Sequence, residues 1–336
     1  MRRDRSTAAG QVRRLKLESK VLLGNMLGDP AERIIDVYLP AGHDGRGLPF
    51  LVDLVGFTAG GPAHANWKNF GENLPERLDR LIGSGAMPPC VVAMPDCFTR
   101  LGGNQYINSI AVGRWDDFLR LECVPLVEET FSCGGIGRRG CFGKSSGGYG
   151  SIAHALLHPH FWAGAACHSG DMFFEWCYLP DFPRLLRSLA KHGNSIEKWM
   201  EAFYASPKVK DRDVHDLMQL AMCATYDPDP EAYLGIRLPV TMDTCEIIPE
   251  RWANFRKWDP CVMVEEHGAG LKQLKALYID CGEIDQYNLV YGARRFHCAL
   301  ERLYVPHTYH EFPDDHSSVD YRMDISLPIL AKALSA

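Results

Sequence analysis

The chain has 336 residues, of which 46% are hydrophobic and 23% are charged, and its formal net charge at pH 7 is −6. These values are typical of a soluble globular protein, and the acidic balance gives no electrostatic reason to expect nucleic acid as a partner. The length allows one large α/β domain with an insertion, or two ordinary domains.

The beginning of the chain is rich in arginine, with five arginines in the first fourteen residues. We expect residues 1–11 to form a mobile N-terminus. The apolar segment at 21–27 is short and is broken by Gly24 and Asn25, so it does not fit a secretory signal. The 12 cysteines include no C-x-x-C pair, which favours free thiols in the cytoplasm over a zinc or thioredoxin motif.

Short apolar runs alternate with segments of helical spacing along most of the chain, which predicts a mostly parallel sheet with helices on both faces. The predicted strands are 12–17, 33–39, 48–55, 90–94, 140–143, 161–167, 275–280 and 308–312. The predicted helices are 115–131, 148–157, 289–303 and 325–334. Residues 145–170 contain no Asp, Glu, Lys or Arg, as a membrane span would. Their histidines, glycines and Pro159 nevertheless argue against a membrane span.

The segment at 171–270 interrupts this pattern, because it is helical and rich in aromatic residues. We expect it to be a helical cap inserted into a core formed by 12–170 and 271–336. Its first third contains eight aromatic residues, namely Phe173, Phe174, Trp176, Tyr178, Phe182, Trp199, Phe203 and Tyr204. Most of them should pack inside the cap, and a few should line an apolar pocket.

Residues 143–147 read Gly-Lys-Ser-Ser-Gly, a G-x-S-x-G pattern between a predicted strand and a predicted helix. In a nucleophile elbow the turn is so tight that glycine is needed two residues before and two residues after the serine. Gly143 and Gly147 flank Ser145 in this way, which favours Ser145 over Ser146 as the nucleophile. Ser146 would instead supply its backbone N–H to an oxyanion.

Two other interpretations of this segment exist. A phosphate-binding P-loop would need a glycine five residues before Gly143, where the chain has Arg138. The segment could also be a glycine-rich helix start without any chemistry, since short motifs have false matches. Partner residues further along the chain decide between the three.

A serine nucleophile needs a histidine base and a carboxylate that orients it, and α/β hydrolases carry them in the order serine, acid, histidine. The polar turn after the strand at 275–280 offers three acids, Asp280, Glu283 and Asp285. Asp285 is favoured, because it lies on the loop rather than at the end of the strand. Three histidines follow, His307, His310 and His316. His316 is favoured, because it lies beyond the last strand and before the C-terminal helix.

These motifs resemble the putative-esterase family of α/β hydrolases, which includes esterase D, enterochelin-esterase-like proteins, feruloyl esterases and mycolyltransferases. The resemblance covers about residues 12–170 and 272–336. It is carried by segments 37–40 (Val-Tyr-Leu-Pro), 94–96 (Met-Pro-Asp), 108–109 (Asn-Ser), 147–150 (Gly-Gly-Tyr-Gly), 281–285 (Cys-Gly-x-x-Asp) and 311–316 (Glu-Phe-x-x-x-His), with Gly56, its glycine-rich loop and Trp67.

The resemblance implies that Ser145 is the nucleophile, Asp285 the acid and His316 the base. It also implies that the backbone N–H groups of Phe57 and Ser146 form the oxyanion hole. Two positions depart from the usual family pattern. Ser146 replaces a methionine, which should not matter because only its N–H is used, and the loop after Gly56 lacks the histidine that many relatives have before the glycine.

The expected activity is therefore hydrolysis of a carboxylic ester through an acyl-enzyme, on a small molecule with an apolar or aromatic group. A thioesterase or acyltransferase with the same triad is an alternative, and a binding protein that kept only the fold is another. We expect no cofactor and no metal. A homo-oligomer is compatible with the sequence.

Overall fold

The structure is a computed structural model that describes residues 7–336. Its strands are β1 (Gln11–Glu18), β2 (Glu32–Leu39), β3 (Phe50–Leu54), β4 (Val91–Pro95), β5 (Asn108–Ser109), β6 (Gly113–Arg114), β7 (Arg139–Lys144), β8 (Gly164–His168), β9 (Ala276–Gly282) and β10 (Thr308–Phe312). Eight of them form one sheet in the order β1-β2-β4-β3-β7-β8-β9-β10, and β5 pairs with β6.

Twelve α-helices surround the sheet in the described part of the chain. They are α1 (Leu74–Gly83), α2 (Trp115–Asp117), α3 (Val124–Phe131), α4 (Ser146–Leu157), α5 (Phe174–Cys177), α6 (Phe182–Ala190), α7 (Ile196–Ala205), α8 (Asp211–Tyr226), α9 (Pro249–Arg256), α10 (Pro260–His267), α11 (Leu289–Arg302) and α12 (Met323–Ser335). A π-helical turn at Phe118–Cys123 joins α2 to α3, so the predicted helix at 115–131 is one continuous helical stretch.

The sheet is mostly parallel, as predicted. β2 runs antiparallel to both of its neighbours, β1 and β4, and the other adjacent pairs are parallel. All eight predicted strands occur, and their bounds differ by up to three residues, the largest shift being β8, which begins at Gly164 rather than at Phe161. The sequence analysis missed α1, whose start is stabilised by a capping box between Asn73 and Glu76.

Alternation along the central strands divides the buried side chains between two cores, one on each face of the sheet. On β7, Cys141 belongs to the larger core with α4 and α11, whereas Phe142 belongs to the smaller core with α1 and α12. Lys144 is two residues after Phe142 on the same strand, so it lies on the same face of the sheet as Phe142, the face that α12 covers. In the register of the sheet Lys144 is paired with His168 of β8, and His168 with Asp280 of β9.

The helical segment at 171–270 lies between β8 and β9 and contains α5 to α10. Four of its eight predicted aromatic residues are fully or almost fully buried, namely Phe174, Tyr178, Phe182 and Trp199. The rings of Phe174 and Tyr226 lie 5.0 Å apart, inside the larger core. We refer to this segment as the helical insertion.

The end of the predicted mobile N-terminus, at Gly10 and Gln11, makes hydrogen bonds to the rest of the chain. Gly10 donates its backbone N–H to Asp79 at 2.7 Å, and Gln11 already pairs with Leu39 in the sheet. The first six residues of the predicted mobile N-terminus lie outside the described residues. Within residues 7–336, no helix is both long enough and apolar enough to cross a membrane.

Candidate active site

Ser145 occupies the sharp turn between β7 and α4. Its backbone angles are φ 57° and ψ −125°. This region of the Ramachandran map is strained for any residue other than glycine. The turn is fixed by two backbone hydrogen bonds, from Ser145 N to His168 O at 2.9 Å and from Tyr149 N to Ser145 O at 2.8 Å. This is the conformation of a nucleophile elbow, and it presents the Ser145 side chain at the end of the strand.

The two glycines of the motif are required by close backbone contact. A Cβ atom on Gly147 would lie 1.7 Å from the carbonyl oxygen of Leu54, and one on Gly143 would lie 2.2 Å from the same oxygen. The Gly143 Cβ would also lie 2.5 Å from the carbonyl carbon of Gly147. The start of α4 therefore packs directly on β3 and β7, and no side chain fits at either position.

Asp285 and His316 come together on the loops that follow β9 and β10. Asp285 Oδ2 lies 2.8 Å from His316 Nδ1, and the Asp285 side chain is fully buried. The other carboxylate oxygen of Asp285 accepts hydrogen bonds from the backbone N–H groups of Tyr287 at 2.9 Å and Leu289 at 3.4 Å. The carboxylate therefore has a fixed orientation, and it fixes that of the imidazole.

Ser145 and His316 line one cavity of about 280 Å³. Within residues 7–336 the hydroxyl of Ser145 has no hydrogen-bond partner, and no hydrogen bond joins it to His316. The apolar lining of the cavity includes Phe57, Ala59, Cys177, Val214, Met218, Leu289 and Met323. Its polar lining includes Thr58, His64, Lys144, Asp171, Tyr178, His215, Tyr287 and Asp320.

The residues predicted for the oxyanion hole lie beside the nucleophile. Ser146 is the first residue of α4, so its N–H has no acceptor inside the helix. Phe57 lines the cavity, and the preceding Gly56 is so close to the elbow that a Cβ on it would lie 3.6 Å from Ser145 Cβ. The Ser146 hydroxyl faces elsewhere, within 2.8 Å of Gln105 Nε2.

The competing acid and base candidates lie away from the cavity. Asp280 is buried and contacts His168 at 2.7 Å, and Glu283 is exposed. His307 contacts His297 at 2.8 Å, and His310 is exposed on β10. Of the three acids and three histidines considered, the structure brings together only Asp285 and His316.

Several cavity residues were missed by the sequence analysis. Asp171 follows β8 and accepts hydrogen bonds on Oδ2 from Tyr178 at 2.9 Å, Gln105 at 3.3 Å and Ser146 at 3.4 Å. Burial raises the pKa of Asp171, although Tyr178 acts in the opposite direction. Its position after a parallel strand was the available signal, because ligands bind at the carboxyl ends of such strands.

Tyr287 connects the helical insertion to the site. Its ring packs edge-on against the His316 ring at a centroid distance of 4.9 Å, and its hydroxyl lies 2.9 Å from His215 Nε2 on α8. His215 Nδ1 lies 2.9 Å from the carbonyl oxygen of Asp211, so in the neutral imidazole Nδ1 donates and Nε2 accepts from Tyr287. Of the eight aromatic residues predicted in the insertion, only Tyr178 lines the cavity.

The family profile described as "Putative esterase" matches residues 30–328 of the chain. The chain belongs to this family. A comparison with curated proteins found no match.

Solved structures with the same architecture include a ferulic acid esterase, which is 19% identical with a TM-score of 0.63 and covers 97% of this chain and 99% of its own. An S-formylglutathione hydrolase from Agrobacterium tumefaciens is 17% identical with a TM-score of 0.60 and covers 98% of this chain and 97% of its own. The fluorophosphonate-binding serine hydrolase F of Staphylococcus aureus is 17% identical with a TM-score of 0.58 and covers 98% of this chain and 100% of its own.

Family membership and the fold together confirm two predictions, the α/β-hydrolase fold and the assignment to the esterases. The protein is a carboxylic-ester hydrolase. Within residues 7–336 there is no group of three or more His, Cys, Asp or Glu side chains placed to hold a metal ion.

Proposed function

We propose that this esterase cleaves carboxylic esters of small molecules through an acyl-enzyme, with Ser145 as nucleophile, His316 as base and Asp285 as the residue that orients His316. The observation that carries the proposal is the cavity that the strained Ser145 and His316 both line, with His316 Nδ1 held 2.8 Å from a fully buried carboxylate. This arrangement leaves His316 Nε2 to receive the serine proton.

In the proposed reaction, Ser145 Oγ attacks the ester carbonyl while His316 removes its proton. The N–H groups of Ser146 and Phe57 stabilise the tetrahedral oxyanion, and His316 returns the proton to the leaving alcohol. Water then repeats the sequence on the acyl-enzyme. Loss of one oxyanion donor in such a site costs about 3 kcal/mol of activation free energy.

The apolar part of the cavity suits the non-reacting part of the ester. Val214 and Met218 of α8, Leu289 of α11 and Met323 of α12 all contribute apolar surface there. A cavity of about 280 Å³ fits a small group better than a long acyl chain. We therefore expect the highest kcat/KM on short esters.

The test combines active-site labelling with a substrate panel. Wild-type protein should react with a fluorophosphonate probe at Ser145, as mapped by peptide mass spectrometry, and Ser145→Ala should not react. The panel contains para-nitrophenyl esters of increasing chain length, a feruloyl ester and S-formylglutathione, since two structural neighbours are named for the last two. Labelling that persists in the folded Ser145→Ala protein would overturn the assignment.

The panel also separates hydrolysis from the alternatives. An oxygen ester and a thioester of the same acyl group, each measured with and without an added alcohol, distinguish an esterase from a thioesterase or an acyltransferase. A folded protein that hydrolyses nothing and does not react with the probe would support a binding role instead.

A further inference from the structure

Lys144 is the residue immediately before the proposed nucleophile, and it lines the same cavity as Ser145. It lies on the α12 face of the sheet. Within residues 7–336 its ammonium group has no hydrogen-bond partner and no carboxylate within 4.0 Å, so it forms no ion pair. An amine in this position is available to a ligand.

The side chain of Lys144 is half-buried, which disfavours its charged form. Burial lowers the pKa of Lys144, and the charges of Asp320 and Asp285 oppose this effect only from a distance. A buried charge is stabilised when it is paired and hydrogen-bonded. An anion bound in the cavity would supply that partner.

The neighbouring carboxylates are already paired with other cations. Asp320 contacts Lys68 at 2.8 Å, and the fully buried Asp53 contacts His64 at 2.6 Å. Burial lowers the pKa of His64, but the charge and the hydrogen bond of Asp53 outweigh it and the pKa is raised overall. Asp320 and Asp53 thus have partners of their own, whereas Lys144 has no carboxylate within 4.0 Å among the described residues.

Two further carboxylates complete the local charges. Asp285 is held by His316, and Asp315, which acts on Lys144 only from a distance, accepts a hydrogen bond from Ser317 N at 2.6 Å. Asp171 belongs to a separate hydrogen-bonded group with Gln105, Ser146 and Tyr178. The cavity lining therefore includes Lys144 beside Ser145, with no carboxylate within 4.0 Å of its ammonium among the described residues, and a separate hydrogen-bonded carboxylate at Asp171.

We infer that Lys144 forms an anion subsite beside Ser145, and that the preferred substrate is an ester with a carboxylate at its non-reacting end. This inference rests on the proposed function and names its substrate class. Lys144 would bind the carboxylate of the ester, and repulsion from the carboxylate of Asp171 would orient that end of the ester away from Asp171. The carboxylate belongs either to the acyl group or to the alcohol, and both arrangements place it in the same subsite.

Two pairs of model esters test the inference on the wild-type protein. The acyl pair is mono-para-nitrophenyl adipate and its methyl ester, and the alcohol pair is para-acetoxybenzoate and its methyl ester. We expect kcat/KM for the anionic member to exceed that for the neutral member by roughly tenfold in at least one pair, equivalent to about 1.4 kcal/mol. The pair that shows the preference identifies the side of the ester that carries the carboxylate.

Variants then assign the preference to Lys144. Lys144→Met should reduce the anionic-to-neutral ratio of kcat/KM at least about fivefold, and Lys144→Arg should retain most of it. Lys16→Met removes the same charge from the exposed edge strand β1 and should leave the ratio unchanged. Circular dichroism and thermal melting show that each variant is folded.

An independent measurement uses the unmodified enzyme, in case Lys144→Met does not fold. Adipate should inhibit hydrolysis of the neutral ester more strongly than adipamide, and added salt should weaken this inhibition. A ratio at or below one in both ester pairs, or an unchanged ratio in folded Lys144→Met, overturns the subsite while hydrolysis of neutral esters keeps the proposed function. Absence of hydrolysis and of fluorophosphonate labelling overturns the proposed function itself.

Discussion

Two groups of serine, histidine and aspartate lie close to each other in this molecule. Around the cavity are Ser145, His316 and Asp285. Beneath it, between β8, β9 and α12, His168 Nδ1 lies 2.7 Å from Asp280 Oδ1 and His168 Nε2 lies 2.8 Å from Ser326 Oγ. Judged by hydrogen bonds alone, the second group is the more complete triad.

The two groups differ in access to substrate and in the backbone of the serine. Ser326, His168 and Asp280 are all at most 1% exposed, and none of them lines the cavity. Ser326 lies within α12, whereas Ser145 has the strained backbone of an elbow at the start of α4. We therefore expect a hydrogen-bonded triad to act on a substrate only when a turn exposes the serine and N–H groups converge beside it.

Asp280, the carboxylate of the buried group, also has different hydrogen-bond partners from Asp285. Arg322 Nε and the Tyr278 hydroxyl donate to Asp280 Oδ2 at 2.9 and 2.8 Å. Burial by itself would raise the pKa of Asp280, but His168, Arg322 and Tyr278 outweigh it and the pKa is lowered. Asp280 therefore remains ionised and holds three elements together. Asp280 also supports the elbow through its partner His168, because His168 O accepts the hydrogen bond from Ser145 N.

The largest expected effect comes from removing one serine hydroxyl from each group. Ser145→Ala should lower kcat by at least about 10⁴-fold, because the proposed nucleophile is lost, and it should leave the melting temperature nearly unchanged. Ser326→Ala should have the opposite profile, with kcat largely retained and a stability loss of about 1–3 kcal/mol, because buried His168 loses a partner. Steady-state kinetics and urea unfolding measure both. Equal loss of activity in the two variants would mean that access does not separate the groups.

The two acids, Asp285 and Asp280, should also differ in whether their loss lowers activity or stability. Asp285→Asn should reduce kcat by about 10³- to 10⁴-fold, because an amide no longer holds His316 in the tautomer that accepts a proton from serine. The protein should remain folded, and its fluorophosphonate labelling should become slower. The matched variant Asp285→Glu keeps the charge and should retain more activity. A normal labelling rate in Asp285→Asn would contradict the role given to this residue.

Asp280→Asn should act on stability rather than on chemistry. Removing one member of a buried ion pair costs about 3–5 kcal/mol, because Arg322 and its neighbours are left without a counter-charge. Urea unfolding should show this loss. Protein that remains folded in the cold should still react with a fluorophosphonate. A stability equal to that of wild type would show that Asp280 is not needed to hold β8, β9 and Arg322 together.

The sequence predicted the sheet well, because its buried strands alternate with helices. It also predicted the position of the sharp turn at Ser145, because an elbow has a fixed glycine pattern. It also favoured Asp285 over Asp280 and His316 over His310, since loop residues have the freedom to meet in space. It could not predict the buried triad, because Ser326 and His168 are 158 residues apart and meet only when α12 packs on the sheet. Nor could it separate the aromatic residues inside the insertion from those that line the cavity, because both have helical spacing.

A third carboxylate–imidazole pair, Asp53–His64, combines features of the other two, since Asp53 is fully buried but His64 opens on the cavity. The pKa of His64 is raised by Asp53 despite the opposing effect of burial, so the protonated ring stabilises the folded state. This stabilisation is fully present below the pKa of unfolded histidine, about 6.5, and is lost as the pH rises through the higher folded pKa. The loss of stability in His64→Gln should therefore be larger at about pH 5.5 than at about pH 9.5, as measured by urea unfolding. His43→Gln, a change on an exposed turn, should show no such difference. A loss of stability in His64→Gln that is the same at both pH values would mean that the ring contributes by packing alone and not by its charge.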